Sequence, residues 1–273
     1  MTRLSGAQKY LESALNKRQR NATFLTRALG LFFSFFVISV SWAQMPTVVV
    51  AANMKPAMEQ IYASYKKSSG QELRIIYGAS GNFTRQIQQG APFHLFVSAD
   101  ENFPLALSKE GLTVDDGKVY AIGRLALISK KSQNIKLSLK ESEIKKIIAR
   151  ANKISLAKPE VAPYGRATIE FLTRLNLLEG AKEKFVFAEN IAGATQYVIT
   201  GAAQIGFTAY SLAASKDIGH ELDYVLIPES FHEPIRQRMV LMKNAPKIAI
   251  DFYAYLQGKQ AGDIIRSQGY SMP

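Results

Sequence analysis

The chain has 273 residues, 47% of them hydrophobic and 21% charged, a composition typical of a globular protein with one large or two ordinary domains. It contains no cysteine, which excludes disulfide bonds and a cysteine nucleophile. The formal net charge is +12, which would suit a nucleic-acid partner if the basic residues were clustered on the folded domain.

The N-terminal segment has the pattern of a secretory signal peptide. Residues 29–43 read LGLFFSFFVISVSWA, without a charge, and four basic residues precede them between Lys17 and Arg27. Ser41 and Ala43 supply the small side chains that a signal peptidase requires, so we expect cleavage after Ala43 and a periplasmic protein. An uncleaved anchor is the alternative, but about fifteen apolar residues fall short of the roughly twenty that span a bilayer.

Cleavage removes much of the positive charge. Residues 1–43 hold six basic residues and one acidic residue, so the remaining chain carries 28 Lys and Arg against 21 Asp and Glu, a net charge of +7. Its basic pairs, such as Lys66-Lys67 and Lys145-Lys146, are scattered and have no aromatic residues between them. We therefore expect solvated basic surfaces and no nucleic-acid partner, with a basic surface protein of the envelope as an alternative.

The first part of the exported chain alternates strands and helices. Residues 47–51 form a β-branched, apolar strand, and the helix that follows has Pro56 in its first turn and ends near Gly70. A second strand at 73–77 leads through the turn GASGN into a short helix, and a third strand follows at 94–98. Apolar strands that alternate with helices predict a parallel sheet covered on both faces.

The rest of the chain contains a second group of the same kind. The apolar run at 119–129 predicts one long strand. Beyond it we predict strands at 153–156, 185–188, 203–208, 224–227 and 237–242, and helices at 167–178, 191–201, 247–256 and 261–268. Because no low-complexity linker separates the groups, we predict two α/β lobes joined by crossing strands, with a ligand cleft at the crossing.

Four strand-to-helix turns are rich in small or amide-bearing residues and have no Lys, Arg or His at their centres: AANMKP at 51–56, GASGN at 78–82, KPEVAPYGRA at 158–167 and ENIAGA at 189–194. The N-terminus of a helix leaves about four backbone N–H groups unpaired and carries roughly half a positive charge, so it can bind an oxyanion without a charged side chain. The Ser80 hydroxyl and the Asn53 amide can each add a donor. Together the turns predict an anion site.

Each turn also has a purely structural explanation. Ser80 and Asn53 could cap helices, which is their usual role at such positions. Gly78 and Gly81 could serve only to allow a positive φ, and Tyr164 could be a core aromatic residue with a solvated edge. What favours an anion site is the occurrence of four such turns in one exported, two-lobed chain.

The reactive groups of an enzyme are scarce. His94, His220 and His232 lie far apart without the spacing of metal ligands, and Ser80 belongs to no G-x-S-x-G motif. The sequence has neither G-x-G-x-x-G nor a P-loop. We therefore expect a protein that is not an enzyme, with no cofactor and no direct metal-ion ligands; an α/β enzyme acting on a small anionic substrate is the alternative.

Five segments carry a resemblance to a known family: AANMKPAM, YGASGNFTRQIQQGAPFHLFVSADE, KPEVAPYGRA, ENIAGATQYVITGAAQIGFTAYS and YAYLQGKQAGDIIRSQGY. The most specific is the string R-Q-I-x-x-G-A-P-x-x-L-F-x-S-A-D, from Arg85 to Asp100, combined with A-P-Y-G. From about Thr47 to Tyr270 the chain resembles the periplasmic molybdate-binding proteins of molybdate ABC importers.

The resemblance implies a type II periplasmic-binding-protein fold, in which two α/β lobes close over one molybdate or tungstate ion. It implies a first lobe formed by residues 44–124 and a return segment at 240–273, with residues 125–239 as the second lobe. The implied partner is the membrane permease of an ABC transporter, and we expect a monomer. Sulfate or another tetrahedral oxyanion is the alternative ligand.

The resemblance also implies the ligand-binding residues: Asn53, Ser80 and Tyr164, with the backbone of Ala52 and the backbone N–H of Ile191. Tyr210 stands apart from this set, because it lies one position beyond the tyrosine that some relatives use. Uncharged donors suit the task, since fixed dipoles fit one radius and one tetrahedral geometry, whereas a buried lysine would attract every anion.

Overall fold

The computed structural model describes residues 45–273, and the expected signal peptide with its cleavage site lies outside the described residues. Within that part of the chain the strands are β1 (Thr47–Ala51), β2 (Arg74–Gly78), β3 (Leu95–Val97), β4 (Lys118–Gly123), β5 (Leu125–Lys130), β6 (Ile154–Ala157), β7 (Phe185–Ala188), β8 (Ile205–Ala209), β9 (Leu222–Leu226) and β10 (Ile235–Leu241). The α-helices are α1 (Lys55–Ser69), α2 (Ser80–Gln88), α3 (Asn102–Lys109), α4 (Glu141–Arg150), α5 (Pro163–Arg174), α6 (Leu178–Ala181), α7 (Ile191–Ile199), α8 (Tyr210–Ala213), α9 (Lys247–Leu256) and α10 (Lys259–Ser267).

The strands form two five-stranded sheets, each at the centre of one lobe. The order is β2-β1-β3-β10-β4 in the first sheet and β7-β6-β8-β5-β9 in the second. In the first sheet β1 is parallel to β2 and β3, and β10 is antiparallel to β3 and β4. In the second sheet β6 is parallel to β7 and β8, and β5 is antiparallel to β8 and β9. The predicted arrangement of two α/β lobes is confirmed.

The first strand and helix show why these residues fold as they do. The side chains from Val48 to Val50 are fully buried, as expected for a parallel strand covered on both faces. Pro56 occupies the first turn of α1, and Gly70, with φ 68°, ends the helix in the left-handed conformation. Ile61 and Tyr65 lie on the buried face of α1, which covers the first sheet.

The prediction of one long strand at 119–129 is wrong. The run is divided at Arg124 into β4 and β5, and the two halves join different sheets. Gly123 stands at this crossing, where an added Cβ would lie 2.2 Å from the Tyr164 hydroxyl oxygen. Mostly apolar residues stand on both sides of Arg124, and both halves are largely buried, so the hydrophobic pattern alone did not reveal the break.

The segment between β9 and β10 provides the second crossing. The expected lobe boundary after residue 239 falls inside β10, which pairs with β3 and β4. The return to the first sheet therefore begins at Ile235 instead of residue 240, because strand pairing with β4 starts there. No helix described between residues 45 and 273 is long and apolar enough to cross a membrane.

Candidate ligand-binding site

A small cavity lies between the two lobes, at the carboxyl ends of their parallel strands. Its first-lobe wall comes from residues 51–53 after β1, residues 78–80 after β2 and Ala99 after β3. Its second-lobe wall comes from residues 162–164 after β6 and residues 190–191 after β7. In α/β proteins, ligands bind at this end of the sheet.

The structure brings the five residues expected at the ligand into this one cavity. The expected set, Ala52, Asn53, Ser80, Tyr164 and Ile191, lines the cavity, and each of its members is at most 4% exposed. The first-lobe residues Ala52 and Ala99 pack into the same apolar cluster as Tyr164 and Ile191 of the second lobe. The two lobes are therefore closed on one another around the cavity.

Helix N-termini from both lobes point their first turns at this cavity. Helix α2 begins at Ser80 and α7 begins at Ile191, while a 3-10 turn at Ala52–Met54 leads into α1. Among residues 45–273 no acceptor pairs with the backbone N–H of Ser80 or of Ile191. Every residue that lines the cavity is uncharged, so its positive potential comes from these N–H groups and helix dipoles.

Ser80 presents its hydroxyl as a donor. Its Oγ accepts a hydrogen bond from the backbone N–H of Ala99 at 3.0 Å, and in the described part of the chain its own hydrogen has no acceptor. Ala79 is the N-cap of α2 and makes no side-chain capping bond, so the capping explanation does not apply to Ser80. An accepted bond on one side leaves the hydroxyl hydrogen for a ligand on the other side.

Tyr164 is arranged in the same way. Its hydroxyl oxygen accepts a hydrogen bond from Nε2 of Gln237 at 3.0 Å, and its hydrogen has no acceptor among the residues that the structure describes. The helix that carries it starts at Pro163, four residues earlier than predicted, which places Tyr164 in the first turn. Burial, together with the nearby Tyr270, raises the pKa of Tyr164 well above its ordinary value, so the hydroxyl keeps its proton at neutral pH.

Asn53 differs from the sequence-based expectation. Its side-chain Nδ2 donates to Oε1 of Gln237 at 3.0 Å and to the hydroxyl oxygen of Tyr270 at 2.8 Å, which uses both amide hydrogens. Its Oδ1 is buried and has no partner among residues 45–273. The backbone N–H of Asn53, in the first turn after β1, is therefore the donor that this residue has available for a ligand.

Asn190 caps helix α7 at its third N–H and leaves the first N–H, at Ile191, beside the cavity. The Asn190 side chain accepts a hydrogen bond from the backbone N–H of Gly193 at 3.0 Å, which satisfies the third N–H of α7. This is the usual geometry of an N-cap residue. Within the described residues, the first N–H of the helix, at Ile191, has no acceptor.

The structure places Tyr210 away from the cavity wall. It begins α8 and packs against Tyr224, with 5.4 Å between the ring centroids. Its neighbour Ser211 donates to the backbone oxygen of Asn53 at 2.9 Å, and Tyr270 donates to the same oxygen at 2.9 Å. Tyr270 and Ser211 thus hold the first turn after β1 in place.

Two contacts join the lobes next to residues that line the cavity. The backbone N–H of Gly81 in the first lobe donates to the backbone oxygen of Val161 in the second lobe at 2.9 Å. The guanidinium of Arg166 on α5 forms an ion pair with the carboxylate of Asp100, which follows β3. Asp100 is nearly buried, with 8% of its side chain exposed, whereas Arg166 reaches solvent.

Comparison with protein families gives a match over almost all of the described residues. Residues 46–271 match the family described as bacterial extracellular solute-binding protein. The molybdate-binding protein ModA of Azotobacter vinelandii is 35% identical over 234 residues, which are 82% of this chain and 89% of that protein. The ModA protein of Rhodobacter capsulatus is 34% identical over 227 residues, which are 81% and 86% of the two chains.

Solved structures share the two-lobed architecture. The periplasmic molybdate-binding protein of Azotobacter vinelandii superposes with a TM-score of 0.74 and 32% identity, covering 84% of this chain and 99% of that one. The sulfate-binding protein SubI of Mycobacterium tuberculosis superposes with a TM-score of 0.69 and 13% identity, covering 84% and 86%. The second match shows the fold alone, because its sequence identity is low.

Proposed function

We infer that this chain, which belongs to the family of bacterial extracellular solute-binding proteins, captures molybdate outside the cytoplasm and delivers it to an ABC importer. The relatives that support this ligand are two molybdate-binding proteins, 35% and 34% identical, each aligned over more than four fifths of its length. The family consists of transport components, so the chain is not an enzyme.

One observation carries the proposal. Uncharged N–H and O–H donors from both lobes lie around one cavity: the hydroxyls of Ser80 and Tyr164 and the first-turn N–H groups of Asn53, Ser80 and Ile191. Hydrogen bonds from such donors to an ionised oxygen are short and strong, and a cavity of low dielectric strengthens them. The arrangement suits a small dianion better than a cation or a neutral solute.

The orientation of the donors favours a fully ionised ligand. The hydroxyls of Ser80 and Tyr164 each accept a hydrogen bond from the protein, so both meet a ligand as donors. A protonated oxyanion such as hydrogen phosphate would place its own proton against these donors, which costs binding free energy. Tungstate has the same charge and shape as molybdate, and we extend the proposal to it. Discrimination against sulfate then rests on the size of the cavity.

The proposal also covers the export of the protein, its oligomeric state and its membrane partner. We propose that residues 1–43 are removed during export, that the protein acts as a monomer in the periplasm, and that a membrane permease accepts the closed, loaded form. N-terminal sequencing of the exported protein tests the cleavage site after Ala43. Light scattering during size-exclusion chromatography tests the monomer.

Isothermal titration tests the ligand. The exported protein, purified without added oxyanion, is titrated in turn with molybdate, tungstate, sulfate and phosphate. We expect one saturable site for molybdate and tungstate, weaker binding of sulfate and no binding of phosphate. Tightest binding of sulfate would reassign the ligand, and no binding of any tetrahedral oxyanion would overturn the proposal.

A further inference from the structure

Gln237 stands at the centre of a buried hydrogen-bond network behind the cavity wall. It lies on β10, and its side chain is fully buried. Its Nε2 donates to the hydroxyl oxygen of Tyr164 at 3.0 Å, while its Oε1 accepts from Nδ2 of Asn53 at 3.0 Å and from the hydroxyl of Tyr120 at 2.8 Å. One uncharged amide therefore touches a site residue from each lobe without lining the cavity itself.

The direction of these bonds decides what Tyr164 offers to a ligand. A hydroxyl has one hydrogen, and a tyrosine that donates inward to the protein cannot donate the same hydrogen to an anion. Because Nε2 of Gln237 is itself a donor, it occupies the acceptor side of the Tyr164 oxygen. The hydrogen of Tyr164 is then left for the cavity.

We propose that Gln237 is a positioning residue for anion binding, which turns the hydroxyl of Tyr164 toward the ligand and holds the first turn at Asn53 beside it. The proposal rests on the proposed function, since it concerns how the same cavity binds its anion. Gln237 belongs to the first lobe and Tyr164 to the second, so the bond between them also joins the lobes next to the crossing at Gly123.

Gly123 leaves room for the hydrogen bond between Gln237 and Tyr164. A Cβ added at Gly123 would lie 2.2 Å from the Tyr164 hydroxyl oxygen and 2.5 Å from Nε2 of Gln237. The absence of a side chain at this crossing position is thus what lets the two polar groups meet. The bulge in the β4–β10 pairing lies directly after Gln237, while the flanking Arg236 and Arg238 pair with Glu101.

A double-mutant cycle tests the proposal, because a residue that acts through another has no effect of its own once that other residue is removed. Molybdate affinity is measured for the wild type, Gln237→Met, Tyr164→Phe and the double variant. We expect Gln237→Met to weaken binding about tenfold in the wild type and by less than about threefold when Tyr164 is already Phe. Gln204→Met is the matched control, since Gln204 accepts a hydrogen bond from the backbone of Lys153 in the second lobe, outside the cavity lining.

The pH dependence of molybdate binding by Gln237→Glu gives a second test, because a change in packing alone would not make the affinity depend on pH. A carboxylate has no donor, so it would accept the hydrogen of Tyr164 and turn it away from the ligand, whereas the protonated acid could still donate. The hydroxyls of Tyr120 and Tyr164 bond to the Gln237 side chain, and Tyr270 bonds to its partner Asn53. Burial raises the pKa of all three tyrosines, so they do not titrate near neutrality. The other charged group near this position is Asp100, close to Tyr120. The flanking Arg236 and Arg238 form ion pairs with Glu101. We expect the affinity of Gln237→Glu to fall as the pH rises from about 6 to about 9, with no such fall in the wild type.

The outcomes separate the two proposals. If the wild type does not bind molybdate, the proposed function is wrong. If the wild type binds molybdate, and folded Gln237→Met and Gln237→Glu bind it equally well at every pH, Gln237 is not a positioning residue. Equal losses from Gln237→Met with and without Tyr164 would overturn the proposed action on Tyr164, because the effect would then not depend on the tyrosine hydroxyl.

Discussion

The wall of the cavity and its rim differ in how they use charge. The wall is uncharged and offers backbone and hydroxyl donors from both lobes. The rim, which we define as Asp100, Arg166, Lys158 and Glu189, is charged, but its members pair with one another. We propose that the wall selects the ligand by fixed dipoles, while the cross-lobe pair of the rim, Asp100 with Arg166, affects how firmly the lobes stay together.

A negative charge placed in the wall should have the largest effect. In Ser80→Asp, a carboxylate would face a dianion at close range, where repulsion at an effective dielectric of about 20 costs roughly 4 kcal/mol per pair of charges at about 4 Å. We expect molybdate binding to be lost in isothermal titration. The control Ser230→Asp places the same charge on an exposed residue and should retain binding. Retained binding in Ser80→Asp would show that the wall does not contact the anion.

Removal of one neutral donor from the wall should have a smaller effect. Ser80→Ala removes a hydroxyl that accepts from Ala99 and whose hydrogen has no acceptor between residues 45 and 273, so we expect molybdate binding to weaken by about 1 to 3 kcal/mol. Titration calorimetry measures the affinity, and a thermal melt of the ligand-free protein measures the stability. A lower melting temperature with unchanged affinity would make Ser80 a structural residue only.

A change in the rim should act mainly on release of the ligand. Arg166→Gln removes the cross-lobe partner of the nearly buried Asp100, so the closed form should lose about 1 kcal/mol, a value kept small because the guanidinium reaches solvent. We expect faster dissociation of molybdate in stopped-flow experiments and little change in the association rate. If the dissociation rate stays that of the wild type, the ion pair does not contribute to closure.

The smallest effect is expected where a rim pair lies within one lobe. Lys158 holds the pKa of Glu189 below its usual range through a hydrogen bond and its charge. Any stabilisation from this pair is present at neutral pH and is lost as the pH falls through the lowered pKa. Lys158→Ala should leave molybdate affinity unchanged at pH 7, and NMR titration should show the pKa of Glu189 returning toward its ordinary value. A large loss of affinity would mean that rim charge takes part in binding.

The sequence was sufficient to predict the two α/β lobes and the turns that line the candidate site. Strands such as β1 and helices such as α1 carry their own start and stop residues, and the small-residue turns follow them directly. Because parallel strands end at the same edge of a sheet, residues as distant as Ser80 and Ile191 could be expected in one cleft. The recognised family is confirmed by the comparisons with known proteins.

The hydrogen bonds that the sequence did not reveal join residues that are far apart in the chain. Asn53 bonds to Gln237 and to Tyr270, which lie 184 and 217 positions away, and no local pattern encodes such pairs. Tyr270 belongs to a recognisable C-terminal segment, but nothing in that segment shows that its hydroxyl reaches Asn53. The engagement of both amide hydrogens of Asn53 likewise follows only from the packing of β10 and the chain end against the first turn.

The main-chain contact between Gly81 and Val161 has a practical consequence. Glu160 is exposed beside this point, and the native sequence has no thiol. A Glu160→Cys variant would therefore carry a single fluorescent label next to this contact, and its emission would change when the lobes meet. The molecule could thus serve as an optical sensor of its own ligand, with opening and closing followed in real time.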